Sequence, residues 1–419
     1  MWAHWGGATR LAKGEYIVSL DIGTSKVRAI IGEQTGSSVS VIGVGSVESE
    51  GIRHGAIVDI DLTVESIRQA VDQAERMVGI HIGSAYVGIS GNHILLQSSH
   101  GVVAVSSPER EIGEEDIERV LQQARVIALP PEREIIDVVA KEFVVDGLHG
   151  IVDPRGMLGV RLEVEAYIIT GSRTAIHNVV RCVEKADIDV ANLVLSPLAA
   201  STIALSSDDR KLGVALVDIG AGATSVSVFA NNVLAGTSII PMGGDYVTHD
   251  IAIGLKTQTV AAEQVKLRHG CAWVDSASDD ERFQVPRIGS NQQVEFTQVD
   301  LAMIIEPRMQ EIFSLVRKEI EKMGFAADLA SGYVMHGGVM SMQGAGELAE
   351  LELQAPVRIA IPDFIGVRDP SFVNGVGTLA YAVRAQAKSA PVESGSYSRP
   401  VKTGGGFFVR LKDWFRDFV

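Results

Sequence analysis

Cysteine is nearly absent. Cys182 and Cys271 are the only two in 419 residues, too few for a disulfide framework and without the spacing of a zinc site. They read as reduced core thiols of a cytoplasmic chain. Basic charge is also in deficit: 37 Lys and Arg face 52 Asp and Glu, for a net charge of −15. That excludes a general nucleic-acid binder, which needs a basic field, so no nucleic-acid partner is expected. The N-terminus, Met1-Trp2-Ala3-His4-Trp5-Gly6-Gly7, has no apolar core of signal-peptide length and reads as a loose extension. Val190 to Ser207 lacks charges, but Asn192, Ser196, Pro197, Ser201 and Thr202 interrupt it. A strand followed by a buried helix fits it better than a membrane span. The ten histidines are scattered and none is assigned to a metal. With 46% hydrophobic and 21% charged residues, the chain has the make-up of a soluble protein large enough for two or more domains.

The most informative feature present is a repeated Asp-Ile-Gly behind an apolar run. The first copy is Tyr16-Ile17-Val18-Ser19-Leu20-Asp21-Ile22-Gly23-Thr24-Ser25-Lys26, and the second is Val214-Ala215-Leu216-Val217-Asp218-Ile219-Gly220-Ala221-Gly222-Ala223-Thr224. The aspartates lie 197 residues apart, close to half the chain. Each copy predicts a strand, a tight turn and a second strand. Backbone N–H groups of small residues can approach phosphate oxygens in such a turn, and the hydroxyl of Thr24 or Thr224 adds a donor. Asp21 and Asp218 would repel bare phosphate but suit a hydrated Mg²⁺ that neutralises it. One such turn is ordinary hairpin punctuation. Two at half-chain spacing predict a duplicated domain closing on a nucleotide from both sides, with Gly23, Thr24, Ser25, Lys26, Gly220, Ala221, Gly222 and Thr224 around the phosphates.

Two further segments fit. Tyr333-Val334-Met335-His336-Gly337-Gly338-Val339 is an apolar strand ending in a diglycine. Its backbone can lie close to a base or ribose, or simply turn into a helix. In Ala262-Glu263-Gln264-Val265-Lys266, Glu263 and Lys266 share a helical face and either grip ribose hydroxyls or form a solvated ion pair. Gly243 is grouped with these nucleotide-side residues.

Alternating strands and helices predict α/β layers. Ile67, Ala70, Val71, Ala74 and Val78 keep helical spacing before Gly79, as do Ile176, Val179, Val180 and Val183 after Gly171. Residues 84–163 read as a unit of their own. From Gln386 to Gly406, Ser, Gly, Pro and Lys mark a flexible linker. Beyond it, Phe407, Phe408, Leu411, Trp414, Phe415 and Phe418 fall on one helical face, with Arg410, Lys412, Asp413, Arg416 and Asp417 on the rest. From Arg399 onward five basic residues face two acidic ones. This segment predicts an amphipathic helix lying on anionic lipid, too short at roughly 21 Å to cross a core of ~30 Å.

These elements resemble the actin-like ATPase superfamily, with its two phosphate motifs and adenosine motif in order. More closely, the chain is similar to the FtsA family of bacterial cell-division proteins. The similarity is carried by Gly51-Ile52-Arg53-His54-Gly55, Tyr86-Val87-Gly88-Ile89-Ser90-Gly91-Asn92-His93-Ile94, Val265-Lys266-Leu267-Arg268-His269-Gly270-Cys271-Ala272, Ile305-Glu306-Pro307-Arg308 and Asn374-Gly375-Val376-Gly377-Thr378, and it spans Tyr16 to Tyr381. The resemblance implies a duplicated actin-like (ribonuclease H-like) α/β fold with an inserted α+β subdomain. Subdomain 1A would comprise 15–83 and 164–205, with 370–385 packing back on it. The insertion, 1C, would be 84–163, subdomain 2A 206–240 and 316–369, and 2B 241–315. A linker (386–405) and the membrane helix (406–419) would follow. The implied function is an ATP- and Mg²⁺-binding scaffold that tethers FtsZ polymers to the cytoplasmic face of the cell membrane at the division site. The FtsZ C-terminal tail would dock on 2B, and the scaffold would self-associate into filaments through 1C and meet other division proteins.

Arg308 is a candidate contact for that acidic tail, or else an internal ion pair with Glu306 or a neighbour. The rival within the superfamily is a small-molecule kinase or chaperone-like ATPase. The second loop departs from the usual Asp-Ile-Gly-Gly-Gly-Thr at Ala221 and Ala223, and His336 stands where threonine is common. Ser196-Pro197 occupies the place of a Glu-Pro helix start that orients the attacking water in chaperone ATPases. At most slow ATP hydrolysis is therefore expected.

Overall fold

The computed structural model describes residues 15–389 except 37, 92, 290 and 291. The Trp-containing extension, residues 390–405 of the expected linker and the whole amphipathic segment lie outside the described residues.

The first half opens with a meander, β1 (Glu15–Ile22), β2 (Lys26–Thr35) and β3 (Ser38–Glu48). A small hairpin follows, β4 (Ile52–Arg53) and β5 (Ala56–Ile57), then α1 (Ile60–Val78) and β6 (Ser84–Ile89). An insertion contributes β7 (Leu95–Ala104), α2 (Glu114–Ala124), β8 (Arg133–Val145), β9 (Leu148–Ile151) and β10 (Arg161–Ser172). The half closes with α3 (Arg173–Lys185), β11 (Asp189–Leu195), α4 (Ser196–Ala204) and α5 (Ser207–Leu212). The second half repeats the meander as β12 (Val214–Ile219), β13 (Thr224–Ala230) and β14 (Val233–Ile240). Next come α6 (Gly244–Gly254), α7 (Thr259–His269), β15 (Arg282–Pro286), β16 (Gln293–Thr297) and α8 (Gln298–Met323). It ends with β17 (Tyr333–His336), α9 (Ala345–Leu353), β18 (Val357–Ile359) and α10 (Val373–Ser389).

The sheet orders establish the duplication. One sheet runs β3-β2-β1-β6-β11 and the other β14-β13-β12-β17-β18. In each, an antiparallel meander is extended by strands parallel to the first. Side chains alternate across each sheet. Val18 and Leu20 enter the core under α1 and α3, while Ile17 packs beneath α4 and α10. Asp21 shares the face of Ile17. In the second sheet Val217 and Ile219 enter the core that includes α8. Val214 and Leu216 enter a core shared with α4 and the base of the insertion, and Asp218 is on their side. Both aspartates thus fall on the faces turned toward the junction of the halves.

Local chemistry sets the helix limits. Asp59 caps α1 by accepting from Leu62 N, and Gly79 ends it in the left-handed region. Its apolar stripe lies so close to β3 that a Cβ on Gly45 would stand 1.8 Å from Ala70 O. Thr297 and Asp300 form a capping box for α8. That helix buries Leu301, Ile305, Met309, Ile312, Phe313, Val316 and Ile320, each worth about 1.5–3 kcal/mol.

Three expected boundaries need correction. β6 joins the first sheet between β1 and β11, and β10 pairs with β7 and β8 along its whole length. The inserted sheet therefore spans 95–172 rather than 84–163. Helix α10 continues to Ser389, past the expected linker start at 386. It returns to the first half, where Val376, Leu379, Ala382 and Val383 share a core with Ile17 and Ile30. Among the described residues no helix is long and apolar enough to cross a membrane.

Candidate functional site

The two Asp-Ile-Gly turns have the same backbone closure. Gly23 N donates to Lys26 O and Gly220 N to Ala223 O, both at 3.0 Å. Register fixes which residues correspond. Asp21 pairs with Arg28 and Ile22 with Val27; Asp218 pairs with Ser225 and Ile219 with Thr224. Thr224 is therefore the counterpart of Val27, and Ala221 is the counterpart of Thr24. This corrects the sequence reading, which placed Thr224 at the phosphates. Thr224 is fully buried and donates to Met242 O at 2.8 Å. The second turn, Ala221-Gly222-Ala223, offers backbone amides but no hydroxyl. Lys26 is likewise drawn aside, ion-paired with Glu48 on the neighbouring strand.

The tips of the turns meet. Thr24 Oγ1 accepts from Gly55 N at 3.0 Å, and His54 Nδ1 lies 3.2 Å from Gly222 O. A Cβ on Gly222 would fall 2.7 Å from Thr24 Oγ1 and 2.9 Å from His54 Cα, so only glycine permits this approach. Thus the hairpin of β4 and β5 joins the site, carrying the Gly51–Gly55 segment noted in the sequence. The second turn is also held from behind: Gly244 N donates to Gly220 O at 2.9 Å and Asp245 N to Ala221 O at 2.8 Å. Gly243 is required there because a Cβ would stand 2.4 Å from Gly220 O.

The aspartates differ in environment. Asp21 is largely buried, at 16% exposure, with Arg28 Nη1 3.7 Å away. Burial raises its carboxyl from 3.8 to about 6; Arg28 opposes this and the charge of Asp218 adds to it. The two carboxylates therefore sense each other across the halves. Asp218 Oδ2 accepts from Asn374 Nδ2 at 2.8 Å, and Oδ1 lies 3.7 Å from His336 Nδ1. Burial lowers the His336 imidazole, and Asp218 opposes the shift. Gly337, with φ +96°, brings the chain so near that a Cβ would be 2.4 Å from Asp218 Oδ1. Gly338 is roomier, its nearest neighbour being Ser371 Cβ at 3.9 Å. Behind Asp218 a small cavity is lined by Ser90, Ser196, Ser225, His336 and Asn374. Among the described residues, Asp218 is the only carboxylate lining it.

Glu263 and Lys266 do pair, at 2.7 Å, but not as a solvated pair. Lys266 is 8% exposed, and Nζ also donates to Gly244 O at 3.1 Å and Thr248 Oγ1 at 2.7 Å. The pair braces α7 against α6 behind the second turn. Arg308 is bound within the chain, and Glu306 is not its partner. It donates to Asp250 through Nε at 2.6 Å and Nη2 at 3.1 Å and pairs with Glu311. Its guanidinium lies 5.6 Å from the Tyr246 ring centroid. Glu306 instead accepts from Val274 N.

Arg28, His54, Asp245 and Asn374 were not singled out as site residues from sequence. Only Arg28 had a local signal, since a tight turn at Gly23 puts residue 28 opposite Asp21. Asp21 and Asp218 supply carboxylate oxygens with small-residue turns beside them, and the one nearby nitrogen base, His336 Nδ1, is 3.7 Å from Asp218 Oδ1 among the described residues. That set fits a hydrated Mg²⁺ better than a directly ligated transition metal.

The family model described as "Cell division protein FtsA" matches residues 215–377, and that of the "SHS2 domain inserted in FTSA" matches 91–170. A curated relative, cell division protein FtsA of Bacillus subtilis (strain 168), is 52% identical over 370 residues, covering 88% of this chain and 84% of the relative. Among solved structures, a chain of a PilM–PilN type IV pilus biogenesis complex aligns with TM-score 0.61 at 17% identity, covering 88% of this chain and 98% of its own. MreB5 of Spiroplasma citri bound to ADP aligns with TM-score 0.54 at 12% identity, covering 90% and 99%. The last two likenesses show an actin-like fold.

Proposed function

Because the chain belongs to the FtsA family of cell-division proteins, we propose that it is an ATP-binding, actin-like scaffold that ties FtsZ polymers to the cytoplasmic face of the membrane at the division site. The observation that carries the nucleotide reading is the meeting of the two Asp-Ile-Gly turns at the junction of the halves. MreB5, which shares the fold, holds ADP in its structure. In this reading the turn amides of Gly23 to Ser25 and Gly220 to Gly222 receive the phosphates, with Thr24 and Ser25 as the only turn hydroxyls. Asp21 and Asp218 hold Mg²⁺ through water. Gly337 and Gly338 lie along the adenosine, and Glu263, backed by Lys266, meets the ribose. When bound, the ion supplies charge neutralisation at the β and γ oxygens. Ser196 offers no carboxylate to orient water, so hydrolysis is slow, well below the enzyme median of ~10 s⁻¹.

The four-subdomain division is kept, with the insertion redrawn to the sheet that spans 95–172. That insertion serves self-association, and the FtsZ tail docks on residues 241–315. Residues 406–419 bind anionic lipid reversibly, and polymerised copies hold by avidity. Calorimetry with ATP·Mg²⁺ on the wild type and Asp21→Ala tests the site; equal affinities would sink it. Liposome flotation with Trp414→Glu or Phe415→Glu tests the anchor. Both variants should leave the vesicles while keeping the wild-type melting temperature, and a variant that still floats refutes the reading.

A further inference from the structure

Asn374 opens α10 within a segment, Asn374–Thr378, to which the reading above gives no role. Its Nδ2 donates to Asp218 Oδ2 at 2.8 Å. The start of α10 is seated on the first half without slack. Ser19 Oγ donates to Gly375 O at 2.8 Å in the interior. A Cβ on Gly375 would stand 2.6 Å from Ile30 Cδ1, and one on Gly377 would stand 2.5 Å from Ala199 O. A carboxylate of the second half therefore takes its orientation from a helix fixed to the first.

The duplication sharpens the point. Asp21 has Arg28 opposite it, whereas the register partner of Asp218 is Ser225. Asp218 thus lacks the cation of its counterpart and has an amide instead. His336 Nδ1, 3.7 Å from Oδ1, is beyond hydrogen-bond range. An amide donor fixes the carboxylate rotamer without neutralising it, and leaves Oδ1 available to accept from a water. A guanidinium at the same place would compete with a bound cation for the charge.

We propose that Asn374 is a positioning residue for Asp218, orienting its carboxylate toward the hydrated Mg²⁺ that accompanies the nucleotide. This rests on the reading of Asp218 as a holder of that ion. It separates two quantities that a merely structural role would move together: ATP affinity with Mg²⁺ and ATP affinity in EDTA.

The test uses the full chain and calorimetric ATP binding under both conditions, with nucleotide-free melting temperatures alongside. Asn374→Ala should lose about tenfold in affinity with Mg²⁺, which is about 1.4 kcal/mol, and keep wild-type affinity in EDTA. Asn374→Leu, with the same side-chain branching but no amide, should behave alike and is the deciding variant if the alanine protein melts early. Equal losses in both conditions, or no loss in either, would overturn the proposal, as would early melting of both variants. A wild type that binds ATP equally with Mg²⁺ and EDTA refutes the magnesium reading itself. A Mg²⁺-dependent wild type whose variants keep that dependence refutes only the role of Asn374.

Discussion

Asp21 should destabilise the nucleotide-free protein, and the cost should grow with pH. Its carboxyl is raised by burial from 3.8 to about 6, with Arg28 opposing and Asp218 adding to the shift. In the unfolded chain it ionises near 3.9. Below that pH both states hold the proton and the group is neutral to folding. Through the window up to about 6 the folded state keeps a proton that the unfolded state has released, so stability falls as pH rises, and the loss is complete above it. At about 1.4 kcal/mol per pH unit the whole window amounts to about 3 kcal/mol, and roughly half of it is already lost at pH 5. Asp21→Asn has no such ionisation. In EDTA without nucleotide, the unfolding free energy of the variant relative to wild type should therefore rise by roughly 1–2 kcal/mol between pH 5 and pH 8. Urea denaturation of both proteins across that range measures it, and taking the difference cancels the titrating groups that are not coupled to Asp21. With ATP·Mg²⁺ the difference between the two proteins should shrink. The wild type gains about 2.7 kcal/mol at a hundred times its dissociation constant, and the variant forgoes most of that. A difference between the two proteins that does not change with pH would refute the account of Asp21 as a carboxylate held above its ordinary range.

Three further outcomes follow from the contacts. Gly337→Ala puts a Cβ 2.4 Å from Asp218 Oδ1 at φ +96° and should lower stability by more than about 2 kcal/mol while abolishing nucleotide binding; Gly338→Ala, with room for the methyl, should melt like wild type by differential scanning fluorimetry. Arg308→Ala and Asp250→Ala should each destabilise, and a double-mutant cycle should return a coupling of about 1–3 kcal/mol for the bidentate pair; zero coupling would return Arg308 to the pool of free partner contacts. Gly222→Ala should prop the two turns apart and speed proteolysis at residues 51–55 in the nucleotide-free protein, and Thr24→Ala in the same chain should leave cleavage fast, because the clash with His54 Cα at 2.9 Å remains and the bond from Gly55 N to Thr24 is lost.

The duplicated fold was legible because each half announces itself locally, with an apolar strand, a small-residue turn and a carboxylate at a fixed place. The offset of 197 also held enough to pair the turns correctly, since it carries Thr24 to Ala221 and Val27 to Thr224; matching by residue type led to the displaced assignment. The insertion boundary had a signal as well. In β6, Ala85, Tyr86, Val87 and Ile89 are buried, the near-continuous burial of a strand inside a parallel sheet. In β10, Leu162, Val164, Ala166 and Ile168 are buried and alternate with Glu163, Glu165 and Tyr167, as in an antiparallel sheet covered on one face. Which sheet a strand joins is thus written in its period. Arg308 with Asp250, 58 residues apart, and Asn374 with Asp218, 156 apart, had no such signal. Each depends on how separate elements pack, and neither residue's neighbours in the chain carry its partner's position. Asp218 shows why this matters at the site: its place in the second turn is fixed by local sequence, while the orientation of its carboxylate is fixed by a helix that the chain reaches only after the second sheet is complete.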